Sequence, residues 1–279
     1  MKVKIIIDST TNIKRELAGQ FGVVPLTVNF GSEEYVDGVT IDHTQFYKKL
    51  EESSVLPTTS QPTPQAFENA FRTAVNEGYQ VLAITVASSL SGTYQSATIA
   101  AQEFGEDVVV VDSGSVAIGT GILAEIALEL AKQGKSAAEI AHQLNEEKKH
   151  IKVLAVLDTL EYLKKGGRVS SAVALAGGLL NIKPVAVIEN GEIKMAGKAR
   201  GNKLGNAVML QQISGMGGID YSRPFLLGYT GVTDLLLKEF IAENRRYFGG
   251  NTLNQTYVGS VVGTHAGPGA IAVAFCTKQ

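Results

Sequence analysis

The sequence has one cysteine, no tryptophan and little net charge. Since Cys276 is alone, an internal disulfide and a zinc site built from cysteines are excluded. The four histidines, His43, His142, His150 and His265, do not have the spacing of a metal-binding motif. A net charge of −2 gives no general electrostatic reason to bind nucleic acid or an anionic membrane. We therefore expect no metal, no cofactor and no nucleic-acid partner.

Long apolar runs are also missing. No run reaches the roughly 20 residues of a membrane-spanning helix, and the chain enters a strand-like stretch at residues 3–7 instead of a secretory signal. We expect a cytoplasmic protein without stable membrane insertion. Apolar residues make up 44% of the chain and charged residues 19%, which is typical of globular proteins.

The first half alternates apolar runs rich in β-branched residues with helical patterns. Strands are predicted at 3–7, 80–86 and 107–111, with helices from 64, 91 and 115. A helix over 11–20, a hairpin of 23–29 with 34–39 and a helix over 40–53 are also expected. Buried strands separated by helices predict a parallel, Rossmann-like sheet covered on both faces. We assign residues 1–150 to this α/β domain.

The pattern changes after a helix predicted over 137–150. Asn190 and Gly191 separate two strand-like runs, which is a strong hairpin signal. Helices are expected at 171–180, 204–216 and 233–247, and the segments 256–262 and 271–275 are expected to pair as strands. Hairpins mixed with helices predict a second, α+β domain over residues 151–279 with a mainly antiparallel sheet.

Three polar loops without a carboxylate follow apolar runs, at 57–62, 88–97 and 264–270. Their hydroxyls, backbone amides and single imidazole supply hydrogen-bond donors without a competing negative charge. A small anion is the expected ligand of such loops.

Ser91 stands between a buried strand and a helix, so we expect it to be the helix N-cap. The amides that follow, beginning at Gly92, are unpaired donors that favour an anion, and a glycine allows close approach. Ligands of open parallel sheets bind beyond the carboxyl ends of the strands, where this loop falls. A purely structural cap explains Ser91 equally well.

Thr59 and Ser60 lie between Pro57 and Pro62, which stiffen the loop that carries them. His265 stands in a loop rich in glycine and can donate a hydrogen bond to an anion. Taken singly, an ordinary polar connection and a structural histidine are the better interpretations.

Several enzyme signatures fail. The Gly-x-Ser-x-Gly elbow of α/β-hydrolases is missing, and Gly-Lys-Ser at 134–136 lacks the upstream glycine of a phosphate-binding loop. Gly-Thr-Gly at 119–121 begins too far after its strand to be a dinucleotide fingerprint, so these glycines indicate close helix packing. Residues 164–203 carry eight Lys or Arg against two acids, an excess of +6. This is usually a solvated face, but it suits a phosphorylated ligand or an acidic partner.

Six ordered motifs together resemble the DegV family of bacterial fatty-acid-binding proteins, over nearly the whole chain. Asn12 and Thr63 depart from the family pattern, but neither is an expected hydrogen-bond donor to the ligand. The motifs are Asp-Ser-Thr at 8–10, Thr-Ser-Gln-Pro at 59–62, Leu-Ser-Gly-Thr-Tyr-Gln-Ser-Ala at 90–97, Leu-Glu-Tyr-Leu-Lys-Lys-Gly-Gly-Arg at 160–168, Leu-Leu-Asn-Ile-Lys-Pro at 179–184 and His-Ala-Gly-Pro-Gly-Ala at 265–270.

The resemblance implies one long-chain fatty acid buried in a tunnel between two domains of a carrier that is not an enzyme. By motif matching, Thr59, Ser60 and Ser91 with the helix N-terminus at Gly92 hold the carboxylate, and His265 lines the head-group end.

The resemblance also implies the fatty-acid-binding subunit of a fatty acid kinase system, in which a separate kinase forms the acyl-phosphate. We expect Arg168, within the positive segment, to recognise that kinase or the phosphate. The alternative is a lipid esterase or acyl-transfer enzyme with Ser91 as nucleophile and His265 as base.

Overall fold

The computed structural model describes residues 2–169 and 181–278, so the helix predicted at 171–180 lies outside the described residues. The first half alternates strands and helices as predicted. Its elements are β1 (Lys2–Asp8), β2 (Gly22–Val24), β3 (Thr27–Phe30), β4 (Glu33–Val36), α1 (His43–Glu52), β5 (Thr58–Ser60), α2 (Pro64–Asn76), β6 (Tyr79–Thr85), α3 (Thr93–Ala101), β7 (Val108–Asp112), α4 (Ile118–Lys132) and α5 (Ala137–Glu147).

The second half contains longer antiparallel strands and shorter helices. Its elements are β8 (Ile151–Val156), α6 (Glu161–Lys165), β9 (Ile182–Glu189), β10 (Glu192–Arg200), α7 (Asn202–Gly215), β11 (Leu226–Tyr229), α8 (Leu235–Glu243), β12 (Gln255–Tyr257), α9 (Ser260–Ala266) and β13 (Ile271–Cys276).

The first sheet is parallel, in the order β2-β1-β6-β7. Alternate side chains point to opposite faces, and both faces are apolar. Ile6, Val81 and Ala83 pack under α2 and α3, whereas Leu82 and Ile84 face α4 and α5. This confirms the predicted parallel sheet with helices on both sides.

A small antiparallel sheet, β4-β3-β5, is separate from the first sheet and packs with α1. The β3–β4 pair is the predicted hairpin around Gly31. The third strand, β5, was not predicted, because its three residues lie in a loop-like sequence. This strand carries Thr59 into the interior of the molecule.

The second sheet has the order β10-β9-β8-β13-β11-β12 and is antiparallel except between β11 and β12. The Asn190–Gly191 turn joins β9 to β10 as predicted, and both residues have positive φ, as a tight hairpin turn requires. This confirms the α+β class with a mainly antiparallel sheet. The division of the chain at residue 150 stays a prediction.

Helix α4 lies between the two large sheets. Its buried face packs against both, in one core that includes Leu82 of the first sheet and Val153 of the second. A Cβ on Gly119 would lie 2.4 Å from Val153 Cγ2, and one on Gly121 would lie 2.0 Å from the Asn12 carbonyl oxygen. These glycines allow close helix packing, as the sequence indicated.

Three predicted elements were wrong. Residues 260–266 form helix α9 instead of part of a strand pair, and β13 pairs with β8 and β11. Residues 11–14 are not helical, and only Arg15–Gln20 forms a 3₁₀ helix. Helix α8 is shorter than the predicted 233–247. Where the structure describes the chain, no helix is both long enough and apolar enough to cross a membrane.

Candidate functional site

A cavity lies between the two halves of the molecule, at the carboxyl ends of β1 and β6. The cavity has a volume of about 120 Å³. Since a single water needs roughly 10–15 Å³, the cavity has room for several methylene-sized groups. Most of its wall is aliphatic: Leu26, Val86, Leu90, Val116, Ala117, Ile118, Val153, Ala155, Leu157, Leu163, Ala186, Ile188, Ile193, Val258, Val261, Val262, Ala266, Ala270, Ile271 and Ala272.

Four of the predicted site residues reach this cavity: Thr59, Ser91, Arg168 and His265. Among the described residues that line it, none is Asp or Glu, and Arg168 is the one with a permanent charge. A buried carboxylate is stable only where donors and positive charge offset its desolvation. The wall therefore favours a molecule with one anionic group and an apolar remainder.

Thr59 is half-buried and its Oγ1 lies 3.0 Å from Nε2 of His265. The strand β5 determines this orientation, because its pairing with β3 turns successive side chains to opposite sides. Ser60 is accordingly exposed, and its hydroxyl accepts a hydrogen bond from Asn29 Nδ2 at 3.3 Å. Ser60 was predicted beside the carboxylate, but its side chain does not line the cavity.

Ser91 lies in the cavity wall, but it is not the N-cap that the sequence predicted. Helix α3 begins at Thr93, and the N-cap is Gly92. The shift arises because Leu90 and Ser91 both donate backbone hydrogen bonds to the Ala87 carbonyl, which forms a separate turn before the helix. Ser91 Oγ lies 2.8 Å from Thr93 Oγ1 and 3.4 Å from the Thr93 amide nitrogen.

Gly92 is fixed by packing against Gln61. A Cβ at Gly92 would lie 2.1 Å from Gln61 Oε1, and Gln61 Nε2 donates to Ser96 Oγ at 3.0 Å. Gly92 does not line the cavity, and the predicted binding of a ligand at its end of the helix stays a prediction. Its small size instead lets the loop of Gln61 meet the first turn of α3.

His265 is held in its neutral form. Burial, and then the nearby charge of Arg168, lower the pKa of His265 from 6.5 to about 4. Its Nδ1 packs against Gly166, where an added Cβ would lie 2.2 Å away, and it has no hydrogen-bond partner among the described residues. A neutral imidazole has one N–H, so a proton on Nε2 makes His265 a donor to Thr59.

Arg168 joins the two halves at the same end of the cavity. Its Nε donates to the Leu90 carbonyl at 3.2 Å, and its Nη1 donates to the Gly166 carbonyl at 2.6 Å. Leu90 precedes Ser91, so the guanidinium lies close to the hydroxyl site. Arg168 was expected to recognise a kinase or a phosphate; the structure places it in the cavity wall, and that role stays a prediction.

Two hydroxyls that sequence reasoning missed, those of Thr10 and Thr230, also line the cavity. Both have internal partners. Thr10 Oγ1 donates to Asp8 at 2.5 Å, and Thr230 Oγ1 accepts from the Ala270 amide at 2.7 Å. The Asp-Ser-Thr motif at 8–10 signalled the first of these, but no pattern in the sequence signalled Thr230.

The arrangement does not favour a Ser–His enzyme. His265 Nε2 is bonded to Thr59, and Ser91 Oγ is bonded to Thr93. A nucleophile and base must lie in hydrogen-bond reach, with a third group orienting the base. Among the described residues, His265 Nδ1 has no partner that could do so. The described residues also contain no cluster of three or more His, Cys, Asp or Glu that could hold a metal.

Comparison with protein-family models identifies the chain. The model described as "Uncharacterised protein, DegV family" matches residues 2–278. The chain belongs to the DegV family. A DegV domain-containing protein of Clostridium acetobutylicum is 36% identical over 282 residues, which cover 99% of each chain.

Solved structures of the DegV family show the same fold. A fatty-acid-binding DegV family protein from Thermus thermophilus matches with a TM-score of 0.87 and 32% identity, over 99% of this chain and 100% of the other. DegV from Bacillus subtilis, described as a fatty acid binding protein, matches with a TM-score of 0.84 and 30% identity over 100% of both chains. The expected family and fold class are therefore confirmed.

Proposed function

We propose that this protein is a carrier that binds one long-chain fatty acid in the cavity, with the carboxylate at Thr59 and Ser91. The observation that carries the proposal is the cavity wall itself. It is mostly aliphatic, and the contacts of Thr59 with His265 and of Arg168 with the loop of Ser91 bring these polar groups together without any described carboxylate. Two structural neighbours described as fatty-acid-binding support the choice of ligand.

Each hydroxyl at that end has a protein donor within reach. His265 Nε2–H can donate to Thr59 Oγ1, and the Thr93 hydroxyl can donate to Ser91 Oγ. A hydroxyl whose oxygen accepts such a bond keeps its own proton for another acceptor. Thr59 and Ser91 can thus both donate to one carboxylate, through charge-assisted hydrogen bonds that are stronger than neutral ones.

The aliphatic wall supplies the remaining affinity. Each buried methylene contributes about 0.8 kcal/mol, so a long acyl chain contributes on the order of 10 kcal/mol before the costs of association. The tail would run past residues of both halves, such as Val86 and Ile271. Binding would then hold the two halves closed.

The protein would present the bound acid to a separate acyl kinase, which transfers a phosphoryl group from its nucleotide to the carboxylate. The positive segment 164–203 supports a role in docking that kinase. Two acids outside the segment offset part of its positive charge: Asp158 pairs with Lys183, and Glu161 pairs with Lys165. Arg168 remains beside the hydroxyls, where an acyl-phosphate would carry its added charge.

Native mass spectrometry of the purified protein, followed by organic extraction, tests the carrier. We expect one free fatty acid per chain, and rebinding of a long-chain acid after delipidation. If the delipidated protein binds no fatty acid in a titration, the proposal is wrong. Turnover of an acyl ester that Ser91→Ala abolishes would instead establish the esterase.

A further inference from the structure

Helix α9 carries His265 at its carboxyl end and contributes Val261 and Val262 to the cavity wall. It has seven residues, and its N-cap, Gly259, has no side chain to bond the first amides. Isolated helices of this length are unstable in water. The position of α9, and therefore of the His265 imidazole, depends on contacts from outside the helix.

Asp37 supplies the contact at the amino end. It follows β4, in the other half of the chain, and is only 6% exposed. Its Oδ1 accepts a hydrogen bond from the Ser260 hydroxyl, and its Oδ2 has no hydrogen-bond partner among the described residues. A carboxylate at this place binds the first residue of the helix and complements the helix dipole.

Three further contacts fix α9 on the same unit, which α1 and the small sheet form. Tyr47 Oη donates to the Val258 carbonyl at 3.1 Å, just before the helix. A Cβ on Gly263 would lie 2.4 Å from Tyr47 Oη, so the helix packs directly on α1. At the carboxyl end, His265 meets Thr59. One unit therefore contacts α9 at its start, middle and end.

We propose that Asp37 is a positioning residue for ligand binding. By capping α9 from the opposite half of the molecule, it holds His265 Nε2 against Thr59 Oγ1, and so leaves the Thr59 proton free for the carboxylate. Asp37 does not line the cavity and acts through His265. This inference rests on the proposed fatty-acid binding and names a residue that the ligand itself does not touch.

The test compares Asp37→Ala with Asp37→Asn and with Asp42→Ala as the matched control. Asp42 caps α1 in the same region, with its side chain accepting from the Gln45 amide at 2.8 Å. Two quantities are measured on the folded, delipidated protein: the fatty-acid Kd, and the ¹⁵N resonances of the His265 imidazole. We expect Asp37→Ala to weaken binding about tenfold and to shift the His265 signals.

Asp37→Asn keeps an oxygen that can accept from the Ser260 hydroxyl and should restore most of both signals. Asp42→Ala should reduce stability without changing either. If Asp37→Ala does not fold, Ser260→Ala removes one donor of the same contact and should shift His265 in the same direction. Wild-type affinity, or unchanged His265 resonances, in a folded Asp37→Ala or Ser260→Ala protein would overturn the inference.

The imidazole resonances are measured without ligand, so they test the positioning role of Asp37 independently of fatty-acid binding. A wild-type protein that binds no fatty acid would refute the proposed function. The His265 shift in Asp37→Ala would still show whether Asp37 positions the imidazole.

Discussion

Thr59 Oγ1 and His265 Nε2 lie 3.0 Å apart, although 206 positions separate them in the chain. Thr59 belongs to the small sheet of the first half, and His265 belongs to a helix of the second. The bond therefore joins the two halves of the chain. It orients a hydroxyl at the polar end of an otherwise aliphatic cavity.

Removing the Thr59 hydroxyl should weaken fatty-acid binding. Thr59→Val keeps the shape of the side chain but removes one charge-assisted hydrogen bond of roughly 1.5–3 kcal/mol, which corresponds to about ten- to hundredfold in Kd. Thr58→Val is the control, because Thr58 is exposed on the same strand. Isothermal titration of the delipidated proteins measures the difference. Equal affinities for the two variants would place the carboxylate elsewhere.

Ser91→Ala should cause a similar loss of affinity, and it should also lower stability, because the buried Thr93 hydroxyl loses its partner. The N-cap of α3 is Gly92, so the mutation removes no helix cap of the kind worth about 1 kcal/mol. The double variant with Thr59→Val should lose less than the sum of the two, because both hydroxyls bind one anion. Chemical denaturation and titration check the two effects. Wild-type affinity in Ser91→Ala would place the carboxylate elsewhere.

Gly166→Ala should disturb the imidazole without straining the backbone. Gly166 has helical φ and ψ, which alanine adopts easily, but the new methyl group would lie 2.2 Å from His265 Nδ1. We expect His265 to move and the fatty-acid Kd to rise by about tenfold or more. Gly215→Ala is the control, since no atom lies within 4 Å of its added Cβ. Titration of both proteins with a fatty acid measures the difference. An unaltered Kd in Gly166→Ala would show that the position of His265 does not affect binding.

Neutral His265 should make stability depend on pH. Its pKa is about 4 in the folded protein and 6.5 when unperturbed, so the unfolded chain binds the proton more readily. The stabilisation is complete above pH 6.5 and is lost as the pH falls toward 4, by about 3 kcal/mol in all.

Urea unfolding at several pH values, compared between wild type and His265→Gln, measures this term. Burial raises the pKa of both Asp8 and Asp37, which acts in the opposite direction, but their effect is common to both proteins. The wild type should lose more stability than the variant between pH 6.5 and 4. Parallel pH profiles would contradict the burial of a neutral imidazole.

Arg168→Ala should lower fatty-acid affinity, because it removes a positive charge from the cavity wall and two hydrogen bonds to backbone carbonyls. With a cognate kinase, acyl-phosphate formation should fall as well, and more at low salt than at high salt. Lys164→Ala is the control for fatty-acid binding alone, since Lys164 is exposed and does not line the cavity. Unchanged binding and unchanged phosphorylation by Arg168→Ala would refute both roles.

A helix cap and a tight turn could be predicted from neighbouring residues in the sequence. The Thr63 cap followed by proline does begin α2, and the side chain of Thr63 accepts from the Ala66 amide. The Asn190–Gly191 turn was also predicted correctly, because a cap and a turn both depend on residues adjacent in sequence. Alternating strands and helices likewise predicted the parallel sheet. Four of the residues chosen by motif matching line the cavity, and their contacts with a ligand stay predictions.

The sequence by itself thus determined the fold class, the Thr63 cap and the Asn190–Gly191 turn, but not the N-cap of α3, which is Gly92 and not Ser91. The tertiary structure decided that residues 260–266 form a helix, because Gly263 there packs against Tyr47. It also turned Ser60 away from the cavity, through a strand pairing that no local pattern signals. The Thr59–His265 bond and the Asp37 cap join distant segments. Such contacts follow from the packing of the whole chain, which residue periodicity does not encode.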